Sequence, residues 1–239
     1  MQPTKINVMG DDFLLFSLAH GREAPCKAIS CGAKAAVLLM PGIEEDFSIT
    51  AYSDGGKPMC EYYAAAICAA AFLKQKRGLP LSEFTFETPG GIVEVFSTGA
   101  DKYTIAVQKC KQLYIKSIDL LGCDFEYSDI RVNEQLFRTV SATDIKLFDR
   151  RILPKLVAVG ASMPCSIVLS SSSKGKLMTD YYTDFSSVKP TRLLINAAAA
   201  YKEYLSGHSA DADFLLEDGA SACRVQYSTV TLTARPVLY

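Results

Sequence analysis

Apolar and polar positions alternate in short runs along most of this chain. The runs "KINVM" (5–9), "AAVLLM" (35–40), "FSITAY" (47–52), "FTFET" (84–88), "GIVEVF" (91–96) and "YTIAVQ" (103–108) are bounded by Gly, Pro and Asp and predict strands. A second series follows in "SIDLL" (117–121), "LVAVG" (156–160), "SIVLS" (166–170), "KLMTDYY" (176–182), "DFLLE" (213–217), "CRVQY" (223–227) and "VTLTA" (230–234). Two stretches break the alternation, at about 61–76 and about 190–205. They read as helices, the first ended by a basic cluster and Gly78, the second by Ser206 and Gly207.

The two helical stretches resemble each other. "ICAAAFLK" (67–74) returns as "INAAAAYK" (195–202), identical at five of eight positions. Their surroundings also recur in order. "YSDGG" (52–56) and "YTDFS" (182–186) precede them, and "FETPGGIVEV" (86–95) and "LEDGASACRV" (216–225) follow. "INVMGDDF" (6–13) resembles "IDLLGCDF" (118–125), and "CGAK" at 31 resembles "VGAS" at 159. Matches in one order predict a duplicated α+β chain with halves at 1–115 and 116–239, and an insertion between about 126 and 158.

A surface helix carries one apolar stripe, but these two are apolar nearly all round. Such a helix must be wrapped. The expectation is two pseudo-symmetric halves, each a β-barrel-like sheet around a central helix thin enough, through alanine, to fit inside. A cleft between the halves would receive both helix N-termini. Unpaired N–H groups and the helix dipole there suit a small carboxylated metabolite, such as an amino acid.

Composition narrows the classes. A net charge of −1 over 239 residues gives no electrostatic footprint for nucleic acid. No apolar run is long enough to span a bilayer, and the first residues lack a basic stretch before an apolar core, so no membrane partner or signal peptide is expected. Eight cysteines without a C-x-x-C pair read as reduced thiols of a cytoplasmic protein. With two histidines, His20 and His208, no metal site is expected.

The ordered motifs Gly10-Asp11-Asp12-Phe13, "CGAKAAVLLMPG" (31–42), Asp54-Gly55, "FETPGGIVEV" and "VAVGASMPCSIVL" (157–169) resemble those of diaminopimelate epimerase, and more broadly the fold shared with proline racemases and phenazine-biosynthesis-type isomerases. The resemblance implies a diaminopimelate epimerase-like fold and cofactor-independent proton exchange at one carbon of a small amino acid. In that family two cysteines, one at each central helix N-terminus, face opposite sides of the carbon. Here the positions that match them are Tyr62 and Leu193, and the family's glycines become Tyr63 and Ala64. The catalytic motifs are therefore not retained.

Cys60, Glu61 and Cys165 remain as candidate catalytic groups, each weighed against a structural role. The structural readings, which weigh more, are a half-buried thiol for Cys60, a complement to the helix dipole for Glu61, and a buried strand-end cysteine for Cys165. Candidate ligand contacts are Asp11, Asp54, Tyr62, Tyr63, Met163, Thr191 and Arg192. Lys34, Lys189 and Asp184 are possible charge partners or solvated side chains. Three readings stay open: an isomerase with relocated groups, a catalytically silent relative that binds a ligand or a protein, and a one-base isomerase using Glu61.

Overall fold

The computed structural model describes residues 3–17, 32–53, 56–59, 61–99, 101–120, 123–159, 166–183, 189–207, 211–217 and 220–239. The chain forms two compact units. The first comprises residues 1–106, 191–193 and 233–239, and the second comprises residues 107–190 and 194–232.

In the first unit the strands β1 (Thr4–Val8), β2 (Asp11–Ser17), β3 (Ala35–Pro41), β4 (Phe47–Ser53), β5 (Glu83–Thr88), β6 (Gly91–Ser97) and β7 (Tyr103–Val107, its last residue belonging to the second unit) are neighbours in that order. The β1–β2 hairpin turns through Met9 and Gly10, both at positive φ, the conformation that matches the right-handed twist of the flanking strands. Pairing is antiparallel for β1–β2, parallel for β2–β3, antiparallel for β3–β4, parallel for β4–β5, and antiparallel for β5–β6 and β6–β7. A last short strand, Val237–Leu238, pairs with β1 through Ile6 and Asn7.

The helix α1 (Tyr63–Gln75) packs against β1, β2, β3, β4 and β6. All ten residues from Ala64 to Leu73 are buried. Helix burial on every side explains the missing amphipathic stripe, and the alanines keep the rod narrow. Its last turn is fastened by Lys74, whose Nζ donates to Ser97 Oγ and to the Gly99 carbonyl.

The second unit holds β8 (Lys111–Leu120), β9 (Cys123–Val132), β10 (Gln135–Ser141), the short helix α2 (Leu153–Ala158), β11 (Ser166–Ser173), β12 (Lys176–Tyr182), β13 (Asp211–Leu216), β14 (Ala222–Gln226) and β15 (Thr229–Ala234), although the last two residues of β15 belong to the first unit. Helix α3 (Arg192–Gly207) also starts in the first unit and continues in the second. Its residues Leu193–Tyr201 are all buried. Side chains tie it to the sheet. Thr179 donates to Asn196 Oδ1 at 2.8 Å, and Ser170 and Ser172 each donate to the Glu203 carboxylate at 2.7 Å.

From β9 the pairing repeats the alternation of the first unit: β9–β10 antiparallel, β10–β11 parallel, β11–β12 antiparallel, β12–β13 parallel, β13–β14 antiparallel. This corrects one expectation. In that order β9–β10 stands where β1–β2 stands in the first unit, so "IDLLGCDF", which spans β8 and the start of β9, does not occupy the place that "INVMGDDF" occupies.

A second correction concerns "LVAVG", expected as a strand. Its first residues lie in α2, which begins with Pro154 in its first turn and packs Leu153 and Leu156 into a core with Tyr127, Val140, Ile152, Ile167 and Leu169. Tertiary packing overrides the β-branched preference of that stretch.

Candidate functional site

The start of α1 leaves N–H groups without helical acceptors. Tyr62 occupies the N-cap position and its side chain makes no cap. Glu61, one residue earlier, supplies the acceptor instead. Its Oε2 accepts the Tyr63 N–H at 3.0 Å. Its other oxygen, Oε1, accepts the Thr191 hydroxyl at 2.6 Å. Glu61 is only 3% exposed and Thr191 fully buried.

Thr191 immediately precedes α3, and the first residue of that helix, Arg192, donates its N–H to Asp11 Oδ2 at 2.6 Å. Asp11 opens β2 and is half-buried. The starts of both alanine-rich helices therefore rest on the protein's own carboxylates. Residues 191–193 belong to the first unit, so the whole cluster lies within that unit.

Both carboxyls are pushed up from their ordinary values. For Glu61 the main cause is burial, which disfavours the charged form, and the nearby Asp11 charge adds to it. The Thr191 hydroxyl, the Tyr63 N–H and the Lys34 ammonium pull in the opposite direction. For Asp11 burial again dominates, against the Arg192 N–H and the Lys34 and Arg192 charges. Burial, then the Asp11 and Glu61 charges, push the Cys68 thiol inside α1 well up. That is the reverse of the electropositive setting that makes a reactive thiolate. Two neighbouring carboxylates with raised pKa, one oriented at both oxygens, form an arrangement able to take up and return a proton.

The structure thus brings together Asp11, Glu61, Tyr63, Thr191 and Arg192, with Lys34 close enough to act on both acids. Tyr62 is buried at the α1 N-cap. Cys60, Asp54, Met163 and Cys165 lie outside the described residues, as do Asp184, His20 and His208. In the sequence Glu61 stands as a candidate catalytic group and Asp11 as a candidate ligand contact. No spacing signal announces that Asp11 serves the helix that starts at Arg192, or that Thr191 binds Glu61. The expectation of exposed helix N–H groups is also corrected: the N–H groups of Tyr63 and Arg192 are engaged by Glu61 and Asp11.

Among the described residues no group of three or more His, Cys, Asp or Glu side chains is placed to hold a metal ion, and no helix is long and apolar enough to cross a membrane.

No protein-family model matches the sequence, and no curated protein sequence matches it. Solved structures do resemble the fold. A phenazine biosynthesis protein of the PhzF family from Bacillus anthracis superposes with a TM-score of 0.73 at 9% identity, over 99% of this chain and 96% of that one. A hydroxyproline epimerase from Agrobacterium vitis, with bound trans-4-hydroxy-L-proline, gives 0.66 at 12% identity over 100% and 90%. A probable proline racemase from Agrobacterium radiobacter K84, with bound carbonate, gives 0.66 at 12% identity over 100% and 91%. At these identities the likeness establishes the architecture, and the chain has the diaminopimelate epimerase-like fold that PhzF-family proteins, proline racemases and hydroxyproline epimerases share.

Proposed function

We propose that the chain is a divergent cofactor-independent isomerase that acts on a small carboxylated metabolite and moves the proton with Glu61 as its single acid–base group. The observation that carries this reading is the Glu61 carboxylate, buried beside Asp11, raised in pKa, and held by Thr191 at one oxygen and Tyr63 N–H at the other. A general base with a raised pKa is poised nearer neutral pH, where acid–base transfer is most effective. Lys34 and Arg192 supply positive charge for a substrate carboxylate, with Asp54, Tyr62, Tyr63 and Met163 as further contacts. The structural neighbours include an epimerase holding an amino acid, which favours that substrate class. The recurring strand order and the twin alanine-rich helices are read as an internal duplication. The buried thiols of Cys68, Cys110 and Cys223 fit a reducing, cytoplasmic setting.

The test is incubation with a panel of free amino acids and hydroxy acids in heavy water, read by mass spectrometry for deuterium at the carbon next to the carboxylate. Wild-type protein should exchange one member of the panel. Glu61→Gln should slow that exchange by about a hundredfold to ten-thousandfold, while Cys60→Ala and Cys165→Ala retain it. Loss in the cysteine variants with retention in Glu61→Gln would favour relocated thiols instead. A second reading, a silent relative that only binds its ligand, is favoured by the engagement of the Tyr63 and Arg192 N–H groups within the protein. It predicts thermal stabilisation by a panel member without exchange.

A further inference from the structure

Thr191 stands immediately before α3, between Pro190 and Arg192. Its surroundings leave it little freedom. Pro190 is buried, and its ring fixes the backbone torsion φ on one side. On the other side the Arg192 N–H is tied to Asp11 Oδ2 at 2.6 Å. Thr191 itself is fully buried, and its β-branched side chain is stiff. The fold thus holds this hydroxyl in one place.

A threonine at a helix start ordinarily turns its oxygen to the first N–H groups of its own helix as an acceptor. Here the hydroxyl proton goes across to Glu61 Oε1 at 2.6 Å. Valine would fill the same volume and bury no polar group. What the hydroxyl adds is a second point of attachment for Glu61. Tyr63 N–H holds Oε2 at 3.0 Å. With that bond alone the carboxylate can turn, because the terminal torsion of a glutamate is broad. Two donors on two oxygens fix the plane, and with it the directions of the lone pairs left to take a proton. Proton transfer depends on such alignment.

We propose that Thr191 is the positioning residue of Glu61: its hydroxyl, set by the start of α3, locks the plane of a carboxylate that Tyr63 N–H alone would leave free to turn. This rests on the reading of Glu61 as the acid–base group and adds the residue that acts through it. Asp11 contributes at one remove, by holding the Arg192 N–H. As a donor to the charged form, Thr191 also opposes the rise that burial imposes on Glu61. The charged groups that act on Glu61 are Asp11, at the start of β2, and Lys34, just before β3, and the Cys68 thiol inside α1 feels the Glu61 charge in turn. The variants below alter none of these.

Thr191→Val keeps the volume without the donor, and Thr191→Ser keeps the donor. NMR of protein isotope-labelled at the glutamate carboxyls follows the titration of Glu61, its signal identified by its absence in Glu61→Gln. The midpoint should lie at higher pH in Thr191→Val than in wild type, the Tyr63 amide should exchange faster with solvent, and Thr191→Ser should restore both. Deuterium exchange into the substrate, measured above both midpoints so that Glu61 is ionised in each protein, should lose roughly tenfold to a hundredfold in kcat in Thr191→Val, with KM unchanged, and recover in Thr191→Ser. A midpoint in Thr191→Val that is unchanged or lower, an unaltered Tyr63 amide, a Thr191→Ser that behaves like Thr191→Val, or undiminished kcat in Thr191→Val would each overturn the proposal. Should Thr191→Val fail to fold, Thr191→Cys, a weak donor, takes its place with the same directions expected. If wild type exchanges no substrate, or Glu61→Gln exchanges as wild type does, it is the acid–base reading of Glu61 that fails, and the two NMR measurements still decide whether Thr191 positions the carboxylate.

Discussion

Replacing Arg138 with methionine should come close to unfolding the second unit. Arg138 and Asp129 face each other across the β9–β10 pair, and each is 1% exposed. The guanidinium donates to both carboxylate oxygens, at 2.7 and 2.8 Å. Its Nη1 donates to the carbonyls of Leu156 and Val159 at 2.6 and 2.5 Å, at the end of α2, and the Tyr127 ring centroid lies 4.3 Å from the guanidinium carbon. Helix α2 has six residues, too few to persist without such anchoring. Methionine keeps the bulk but leaves Asp129 charged and buried with no cation, and frees two carbonyls. Breaking a buried pair in this way costs about 3–5 kcal/mol, against about 5–15 kcal/mol for a whole domain. Removing both charges, as in Arg138→Met/Asp129→Leu, should recover most of that loss, because the orphan carboxylate is the larger part. Hydrogen exchange read by mass spectrometry on peptides of β9 and β10 measures the opening of this unit by itself. A single-variant loss below about 1 kcal/mol, or a double variant as unstable as the single one, would refute the reasoning.

Two further outcomes are expected. Because burial raises Glu61 and Asp11 in the folded chain, their protonated forms stabilise it: that stability is fully present below the unfolded values and is lost as pH rises through the folded ones. The melting temperature of Glu61→Gln minus that of wild type should therefore grow from pH 4 to pH 8, and a difference that is flat or shrinks with pH would contradict this. In the first unit, the Glu87 Oε1 accepts the N–H groups of Ile43 at 2.7 Å, of Glu45 at 2.6 Å, and of Glu44. These bonds, the Glu45 N–H foremost, hold its carboxyl below the usual range. Glu87→Ala should speed amide exchange at those three residues while leaving β5 and β6 protected; unchanged protection at Ile43 and Glu45 would show that the loop holds itself.

The frame was legible where burial is extreme. The runs of alanine at 64–71 and 197–200 are so uniformly apolar that only wrapped helices accommodate them, and the observed helices start within two residues of the expected positions. Alternating runs such as "FTFET" and "VTLTA" marked β5 and β15 for the same reason, since one face of each strand is buried. What escaped was set by long-range contact. "DDFLLFS" forms β2 although its central residues are continuously apolar, because the strand is buried on both faces. The stretch around Leu156 is helical because Arg138, far away in sequence, takes its carbonyl. At the site, Glu61 and Asp11 were visible as acids near turns, but the bonds that give them meaning cross the chain from 61 to 191 and from 11 to 192. No local pattern encodes those.

The two carboxylates also bear on why acids stand at these helix starts at all. Tyr62 offers α1 no cap, and the Thr191 hydroxyl is spent as a donor to Glu61. Some acceptor must therefore serve the first N–H groups of each helix, and a neutral amide could do so without the desolvation cost of a buried acid. Glutamine at 61 keeps an oxygen for Tyr63 N–H or Thr191, and asparagine at 11 keeps one for Arg192 N–H. Such exchanges relieve the desolvation of a buried acid, at the cost, for Glu61, of one of its two accepted hydrogen bonds. Where the relief exceeds that loss the carboxyl is held against stability, as the proton transfer proposed for Glu61 requires. Glu61→Gln should accordingly be the more stable protein at neutral pH and the inactive one. A variant that is less stable than wild type there would assign Glu61 to the architecture and remove the chemical argument for it.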